Sequence, residues 1–123
     1  MASAATAALA AARGKSAQDP PSDTTIADLV AAVAAAESSS TADAACAAAL
    51  SGTAIDCLSA GAKLLRFEMS LALLTCSQLR VELYQAEGHG DVQAAVDEAR
   101  RGIALASDCQ ERRHGWLRMA AAL

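Results

Sequence analysis

The sequence predicts an all-α protein, and three observations support this fold class. Apolar residues recur three or four positions apart in several segments, as they do on one face of a helix. No window alternates apolar and polar positions with the β-branched residues that strands favour. Alanine, the strongest helix former, occupies 23 of the first 60 positions. We therefore expect alanine-rich helices in the N-terminal half and packed helical hairpins in the C-terminal half.

The chain has 123 residues, which is enough for one domain, but its two halves differ in how many large apolar side chains they offer for a core. Burial of a single methyl-sized group contributes only about 0.8 kcal/mol, and large apolar side chains are scarce before residue 60. We therefore expect the N-terminal half to pack against something else. We also expect the isolated monomer to be aggregated or molten.

The first segment, residues 1–23, combines an alanine-rich helix with a linker. A helix over residues 2–12 is expected to end at Gly14, because residues 14–23 contain glycine, two prolines and small polar residues. Residues 24–123 then form one helical domain. An organelle transit peptide has a similar composition, with alanine, serine, two basic residues and no acid. Residues 1–15 could therefore be a mitochondrial or chloroplast address instead.

The next two helices have clear boundaries. The second begins with Asp23 or Thr24 as its cap and ends at the serines of 38–40. Its apolar residues lie at helical spacing: Ile26, Leu29, Val30 and Val33. A third helix is expected from about Thr41 to Leu50, where Ser-Gly-Thr interrupts it, and helix resumes over 55–61.

Residues 62–87 form the longest helical pattern and carry two apolar stripes. The first consists of Leu65, Met69, Ala72, Cys76, Leu79 and Leu83. The second consists of Leu64, Phe67, Leu71, Leu74 and Val81. Two stripes predict an interior helix with neighbours on two sides.

The following helix is distinguished by its small residues. Gly-His-Gly at 88–90 ends the long helix, and Asp91 caps the next one. One face of that helix carries Val92, Ala95, Val96, Ala99 and Ile103. Because Gly102 lies beside this face, we expect close packing against helix 62–87. Leucine at Gly102 should then be destabilising, whereas alanine should be tolerated.

The last helix is expected to start near Cys109 and to expose an apolar face. The sequence offers no following helix for that face, so we expect another protein, or further residues of a longer native chain, to cover it, with Trp116 as the anchor. Two pairs of arginines flank the last turn and could bind an acidic partner. The predicted partner-binding residues are Trp116, Met119, Leu123, Arg100, Arg101, Arg112 and Arg113.

The C-terminal half resembles a tetratricopeptide-type helical repeat over residues 65–123. Gly90-Asp91 stand at the turn, and small residues follow at the family's offsets. The matching positions of the second helix and of the next repeat are Ala95, Ala99, Gly102, Ile103, Leu105, Trp116, Met119, Ala120 and Leu123. The resemblance implies α-solenoid packing and a protein-binding role. The chain departs from the pattern at Glu82, where an apolar residue belongs, and at Ser107, where proline is usual.

No motif indicates catalysis, and we expect no cofactor and no metal. Arg-Gly-Lys-Ser at 13–16 resembles the end of a phosphate-binding loop, but position 9 is leucine, where that loop needs glycine. The four cysteines form no Cys-x-x-Cys pair. His114 and Cys109 could supply only two metal ligands, with His89 far away in the sequence.

Nucleic-acid binding and membrane insertion are both disfavoured. Residues 1–60 carry two basic and six acidic side chains, and residues 61–123 carry eight of each, so neither half is a basic patch. Only three aromatic residues could stack on bases. No apolar run reaches the roughly 18 to 20 residues of a membrane span.

The sequence therefore predicts a non-enzymatic protein-protein interaction module, acting as a scaffold or accessory subunit of a larger assembly of other protein subunits. We expect it in the cytoplasm or on the cytoskeleton. One alternative is an accessory subunit of a mitochondrial or chloroplast complex. A second alternative is a small redox protein that uses its cysteines.

Overall fold

The computed structural model of the chain describes residues 2–39, 44–51 and 53–105, and all regular secondary structure in this part is helical. It contains five α-helices and one turn of 3-10 helix at Ile55–Cys57. The α-helices are α1 (Ala2–Gln18), α2 (Asp23–Ser39), α3 (Ala44–Leu50), α4 (Ala60–Glu87) and α5 (Val92–Leu105). The predicted all-α class is confirmed for the described residues. The final helix expected from Cys109 lies outside them.

Several helix boundaries differ from the prediction. The first helix continues through Gly14 to Gln18, because one exposed glycine costs a packed helix only about 1 kcal/mol. The linker shrinks to residues 19–22. The cap of α2 is Ser22, whose Oγ accepts a hydrogen bond from the Thr25 amide at 3.2 Å; the predicted caps, Asp23 and Thr24, are therefore wrong.

The segment between α3 and α4 also contains fewer helical residues than predicted. Instead of a continuous helix over 55–61, the 3-10 turn is followed by Ser59, which caps a new helix starting at Ala60. The Ser59 hydroxyl accepts a hydrogen bond from the Ala62 amide at 3.2 Å. Because Ser59 caps the first turn of α4, this helix can begin at Ala60 independently of the 3-10 turn before it.

The turn between α4 and α5 is formed as the sequence predicts. Gly88 ends α4 with a φ of 74°, a left-handed conformation that glycine adopts without steric cost. The Asp91 carboxylate accepts a hydrogen bond from the Ala94 amide at 2.9 Å and caps α5.

Helix α4 is the centre of the fold and packs against all four other helices. Helix α1 runs parallel to it, since Arg13 contacts Glu68 while the linker after α1 lies beside the second half of α4. Helix α2 runs antiparallel: Asp23 Oδ2 lies 3.8 Å from His89 Nε2, just beyond the end of α4. The first predicted stripe of α4 is buried throughout, but the second is buried only in part, so the interior position expected for this helix is confirmed for one stripe alone.

A single apolar core joins α1, α2, α3 and α4. Its buried members are Leu9, Ile26, Leu29, Val33, Ala36, Cys46, Ala49, Leu58, Ala62, Leu65, Met69, Ala72, Leu73, Cys76, Leu79 and Leu83. The N-terminal half thus packs its alanine-rich helices on the leucine-rich central helix. None of the described helices combines the length and the apolarity needed to cross a membrane.

Helix α5 lies antiparallel to α4 and very close to it. The buried Ser77 and Ser70 hydroxyls donate to the carbonyl oxygens of Ala95 at 2.7 Å and Gly102 at 2.9 Å. A Cβ at Gly102 would lie 2.9 Å from the Leu74 side chain and 3.3 Å from the Ser70 carbonyl oxygen. The close packing expected at Gly102 is confirmed. A methyl group at Gly102 would meet Leu74, so the contact now favours destabilisation by alanine as well, where the sequence predicts tolerance.

Candidate functional site

The residues predicted to bind a partner fall into two groups. Arg100 and Arg101 are both exposed on α5, and Arg101 forms an ion pair with Glu37 at the end of α2. This pair ties two helices of the same chain together, so the Arg101 charge is already matched. The other predicted residues lie outside the described part of the chain: Arg112, Arg113, Trp116, Met119 and Leu123.

The second apolar stripe of α4 is buried only in part. Leu74 packs beneath α5, but Leu64 is 52% exposed and Phe67 is 38% exposed. Leu71, one turn further on, is half-buried. We call Leu64, Phe67 and Leu71 the exposed stripe. It lies on the outer face of α4, because α2 and α3 pack beneath this helix, α1 on one side and α5 on the other.

A groove of about 440 Å³ runs between α1 and α4 and continues from the exposed stripe. Leu71 belongs to both. The groove is lined by Arg13, Gly14, Ser16, Ala17, Asp19, Pro21, Leu71, Thr75, Gln78, Leu79 and Glu82. Because Gly14 and Ala17 carry little or no side chain, the α1 side leaves room beside α4.

The α1 wall of this groove is held by polar contacts with α4 and α2. Arg13 forms a two-pronged pair with Glu68, with Nη2 lying 3.0 Å from Oε1 and 2.9 Å from Oε2. Lys15 lies 3.4 Å from the Asp28 carboxylate. The Ser16 hydroxyl donates to the Arg13 carbonyl oxygen at 2.6 Å. Arg-Gly-Lys-Ser is therefore a helical segment whose cations are paired, and it does not form a phosphate-binding loop.

The two ends of the groove differ in polarity. The exposed stripe makes one end apolar. At the other end the charged lining residues are Asp19 and Glu82, and Glu82 accepts a hydrogen bond from Gln78 Nε2 at 2.8 Å. Arg13 adds little positive potential, because Glu68 neutralises it. An apolar end and an acidic end suit an amphipathic helix that carries a basic residue at one end.

The α4–α5 interface also contains a buried polar cluster. Glu98 accepts hydrogen bonds from Arg80 Nε at 2.8 Å and from the Cys76 thiol at 3.1 Å. Burial, followed by the negative charge of Glu98, raises the pKa of the Cys76 thiol to about 12. The thiol therefore stays protonated near neutral pH and is a poor nucleophile. Cys46 is buried and Cys57 is exposed.

A second, smaller cavity lies at the opposite side of α4, where α5 ends. Its volume is about 360 Å³. Its lining residues are Glu37, Leu50, Met69, Arg101, Ala104 and Leu105. The Glu37–Arg101 pair is part of this lining, so both charges there are already matched.

The sequence pattern predicts a packing stripe that contains Leu64 and Phe67, but it does not predict the groove. The available signal was their position on α4, since both lie on a different face of the helix from Leu65, Met69 and Cys76. What decided their exposure was the placement of α1 and α5 on the two flanks of α4, which no local pattern encodes.

Within the described ranges, no group of three or more His, Cys, Asp or Glu side chains is placed to hold a metal ion. His114 and Cys109 lie outside those ranges. Comparison of the chain with protein-family models, curated proteins and solved structures gave no match.

Proposed function

We propose that this chain is a non-enzymatic protein-binding module, a scaffold or accessory subunit that holds an amphipathic helix of a protein partner. The helix lies in the groove between α1 and α4, with its apolar residues on the exposed stripe. The observation that carries the proposal is the exposure of Leu64 and Phe67 on the central helix, at the mouth of a groove with a charged far end. Large apolar residues exposed together usually mark an interaction site.

The α4–α5 hairpin supports a tetratricopeptide-type arrangement within this module. Ala95 and Ala99 are fully buried, and Gly102 lies against Leu74. Small residues at these positions let two helices approach closely, as the repeat family requires. We propose that α4 and α5 form one such repeat, and that the groove lies on the other flank of its first helix.

We further propose that α1 acts as part of the folded module in the cytoplasm or on the cytoskeleton. Leu9 is fully buried, and Arg13 is paired with the largely buried Glu68. Removal of residues 1–15 as a mitochondrial or chloroplast address would leave a cavity in the core and an unpaired carboxylate. Both effects cost free energy, which favours retention of α1.

Site-specific photocrosslinking in the native source tests the binding role. A benzophenone amino acid replaces Phe67 in one chain and Tyr84 in a matched control, since Tyr84 is an exposed aromatic residue of α4 outside the groove lining. We expect covalent adducts to one defined protein from position 67 and none from position 84. Adducts in equal yield at both positions, or at neither, would contradict a binding role for the groove.

A further inference from the structure

We propose that the partner helix lies antiparallel to α4, with a positively charged N-terminal turn beside Asp19 and Glu82 and with its apolar residues on the exposed stripe. This direction rests on the proposed function and adds to it the polarity of the partner and the order of its residues. Two features of the described residues support it: the positions of the charged side chains and the parallel orientation of α1 and α4.

The acidic end of the groove is suited to a cation of the partner. Asp19 and Glu82 are the charged residues that line this end. The nearby cations of α1 are paired with other carboxylates, since Arg13 bonds a glutamate of α4 and Lys15 Nζ lies 3.4 Å from an aspartate of α2. A basic residue of the partner would therefore meet carboxylates whose charge α1 does not neutralise.

The direction of the partner follows from the helix ends, because a basic residue could stand at either end of a helix. Helices α1 and α4 run parallel, so both of their carboxyl ends lie towards the acidic end of the groove. Helix α1 ends at Gln18, next to Asp19, and α4 ends at Glu87, five residues beyond Glu82. A helix carries roughly half a negative elementary charge at its carboxyl end and the opposite charge at its amino end. An antiparallel partner brings its positive amino end here, whereas a parallel partner would add a third negative end.

The other end of the contact surface has the reverse polarity and favours the same direction. Helix α4 begins at Ala60, and Lys63 is exposed beside Leu64 of the exposed stripe. The negative carboxyl end of an antiparallel partner would therefore lie near the amino end of α4 and near a lysine.

The spacing along α4 sets the residue order of the partner. Glu82 and Leu71 are eleven positions apart, about 16 Å of helix, and the stripe residues follow at helical spacings of four and three. An antiparallel partner therefore has its basic residue first and three apolar residues later, the first of them about eleven positions on. The full contact from Glu82 to Leu64 covers about 27 Å, which is a helix of about five turns.

Mapping the crosslinked residues of the partner tests this direction in the native source. The benzophenone amino acid replaces Phe67 in one chain and Gln78, which lines the groove, in a second chain. Mass spectrometry of the digested adducts identifies the partner residue captured from each position. Because the two positions are eleven residues apart on α4, we expect the residue captured from position 78 to precede the one captured from position 67 by roughly eleven positions.

Two mapping results would overturn the direction and leave the binding role intact. The reverse order of the two captured residues would show that the partner lies parallel to α4. Capture from position 67 with none from position 78 would show that the partner does not enter the groove. The proposed function fails separately, when position 67 yields no adduct or no more than position 84.

Charge reversal supplies a second readout. In a chain that carries Asp19→Lys and Glu82→Lys, we expect the adduct yield from position 67 to fall about ten-fold, because the positive end of the partner then meets two cations. The control variant Asp97→Lys, on the exposed face of α5, should leave the yield unchanged. Circular dichroism shows whether each variant is folded, and only folded variants are compared. An unchanged yield in the folded double variant would overturn the proposed role of the acidic end.

Discussion

At the scale of single residues, Gly102 determines how closely the last two described helices approach. The Leu74 side chain fills the space that a Cβ would occupy, and the Ser70 hydroxyl bonds the Gly102 carbonyl oxygen. Glycine in a helix costs about 1 kcal/mol relative to alanine, and this contact offsets that cost. Gly14, in α1, is the opposite case, because a Cβ there meets no atom within 4 Å.

The two glycines should therefore respond oppositely to alanine. Gly102→Ala should lower the free energy of unfolding by about 1 kcal/mol or more, because overpacking against Leu74 exceeds the gain in helix propensity. Gly14→Ala should raise it by up to about 1 kcal/mol. Urea denaturation followed by circular dichroism measures both. Stabilisation of both variants would show that α5 does not lie so close to α4.

Cys76 gives the chain a pH dependence with a definite sign. Its thiol is buried and its pKa is raised from 9.0 to about 12, so between these values the unfolded state loses a proton that the folded state keeps. The free energy of unfolding should therefore fall as the pH rises above about 9, by at most about 1.4 kcal/mol per pH unit from this group. Urea denaturation from pH 8 to pH 10.5 measures the slope. Cys76→Ala should show a smaller slope of the free energy of unfolding against pH. An equal slope would show that the Cys76 thiol does not cause this pH dependence.

At the scale of elements, the short helix α3 depends on a side chain from α4. Seven residues are too few for a stable isolated helix, and most of them are alanine. The buried Arg66 guanidinium donates to the carbonyl oxygens of Ala49 at 2.8 Å, Ala48 at 3.3 Å and Thr53 at 2.7 Å. These acceptors lie at the C-terminal end of α3 and just beyond it, where carbonyl groups lack helical partners and a cation is favourable.

Replacing Arg66 should consequently release α3 while leaving α5 in place. Arg66→Met leaves three acceptors without their donor and should cost about 3 kcal/mol or more, since a hydrogen bond to a charged group contributes about 1.5–3 kcal/mol. Hydrogen exchange should show lost protection over Ala44–Leu50 and retained protection in α5. Lys63→Met, on the exposed side of α4, is the matched control and should change stability by less than about 0.5 kcal/mol. Equal exchange in the two variants would mean that α3 is held by packing alone.

At the scale of the whole molecule, the alanine-rich N-terminus and the leucine-rich centre form one core. Leu9 lies in the same buried cluster as residues of α2, α3 and α4. The few large side chains before residue 60 are sufficient here because α4 supplies most of the others. That the isolated monomer is aggregated or molten stays a prediction, and a sharp, reversible thermal transition of the isolated chain would contradict it.

Loss of the Leu9 side chain should weaken the whole fold, even though it lies in a segment of transit-peptide composition. Leu9→Ala should reduce the free energy of unfolding by about 2–5 kcal/mol, because it opens a cavity in a fully buried position. Ala8→Ser, at the exposed neighbouring position, should have an effect within about 0.5 kcal/mol. Thermal and urea denaturation measure the difference. Equal stability of the two variants would show that α1 is dispensable and would restore the targeting interpretation.

Local patterns in the chain were sufficient for the fold class, for the α4–α5 turn and for the buried stripe of α4. Helix-ending glycines, side-chain caps and apolar spacing act within one or two helical turns. They can therefore be recognised without knowing which helices pack against each other. The boundaries that were missed, at Gly14 and at Ser59, are places where packing or a neighbouring cap outweighed a weak local signal.

Only the tertiary structure determines three features of the molecule: the groove, the exposure of Leu64 and Phe67, and the role of Arg66. A stripe on a helix shows that a residue can be buried, but the neighbour that buries it comes from a distant part of the chain. Arg66 has the sequence context of an exposed residue, yet it is buried because it meets carbonyl groups 13 to 18 positions earlier. The periodicity of the chain thus encodes which helices form. Which faces remain open depends on how the four other helices share the surface of α4, because each contact that covers one side of α4 leaves another side to solvent.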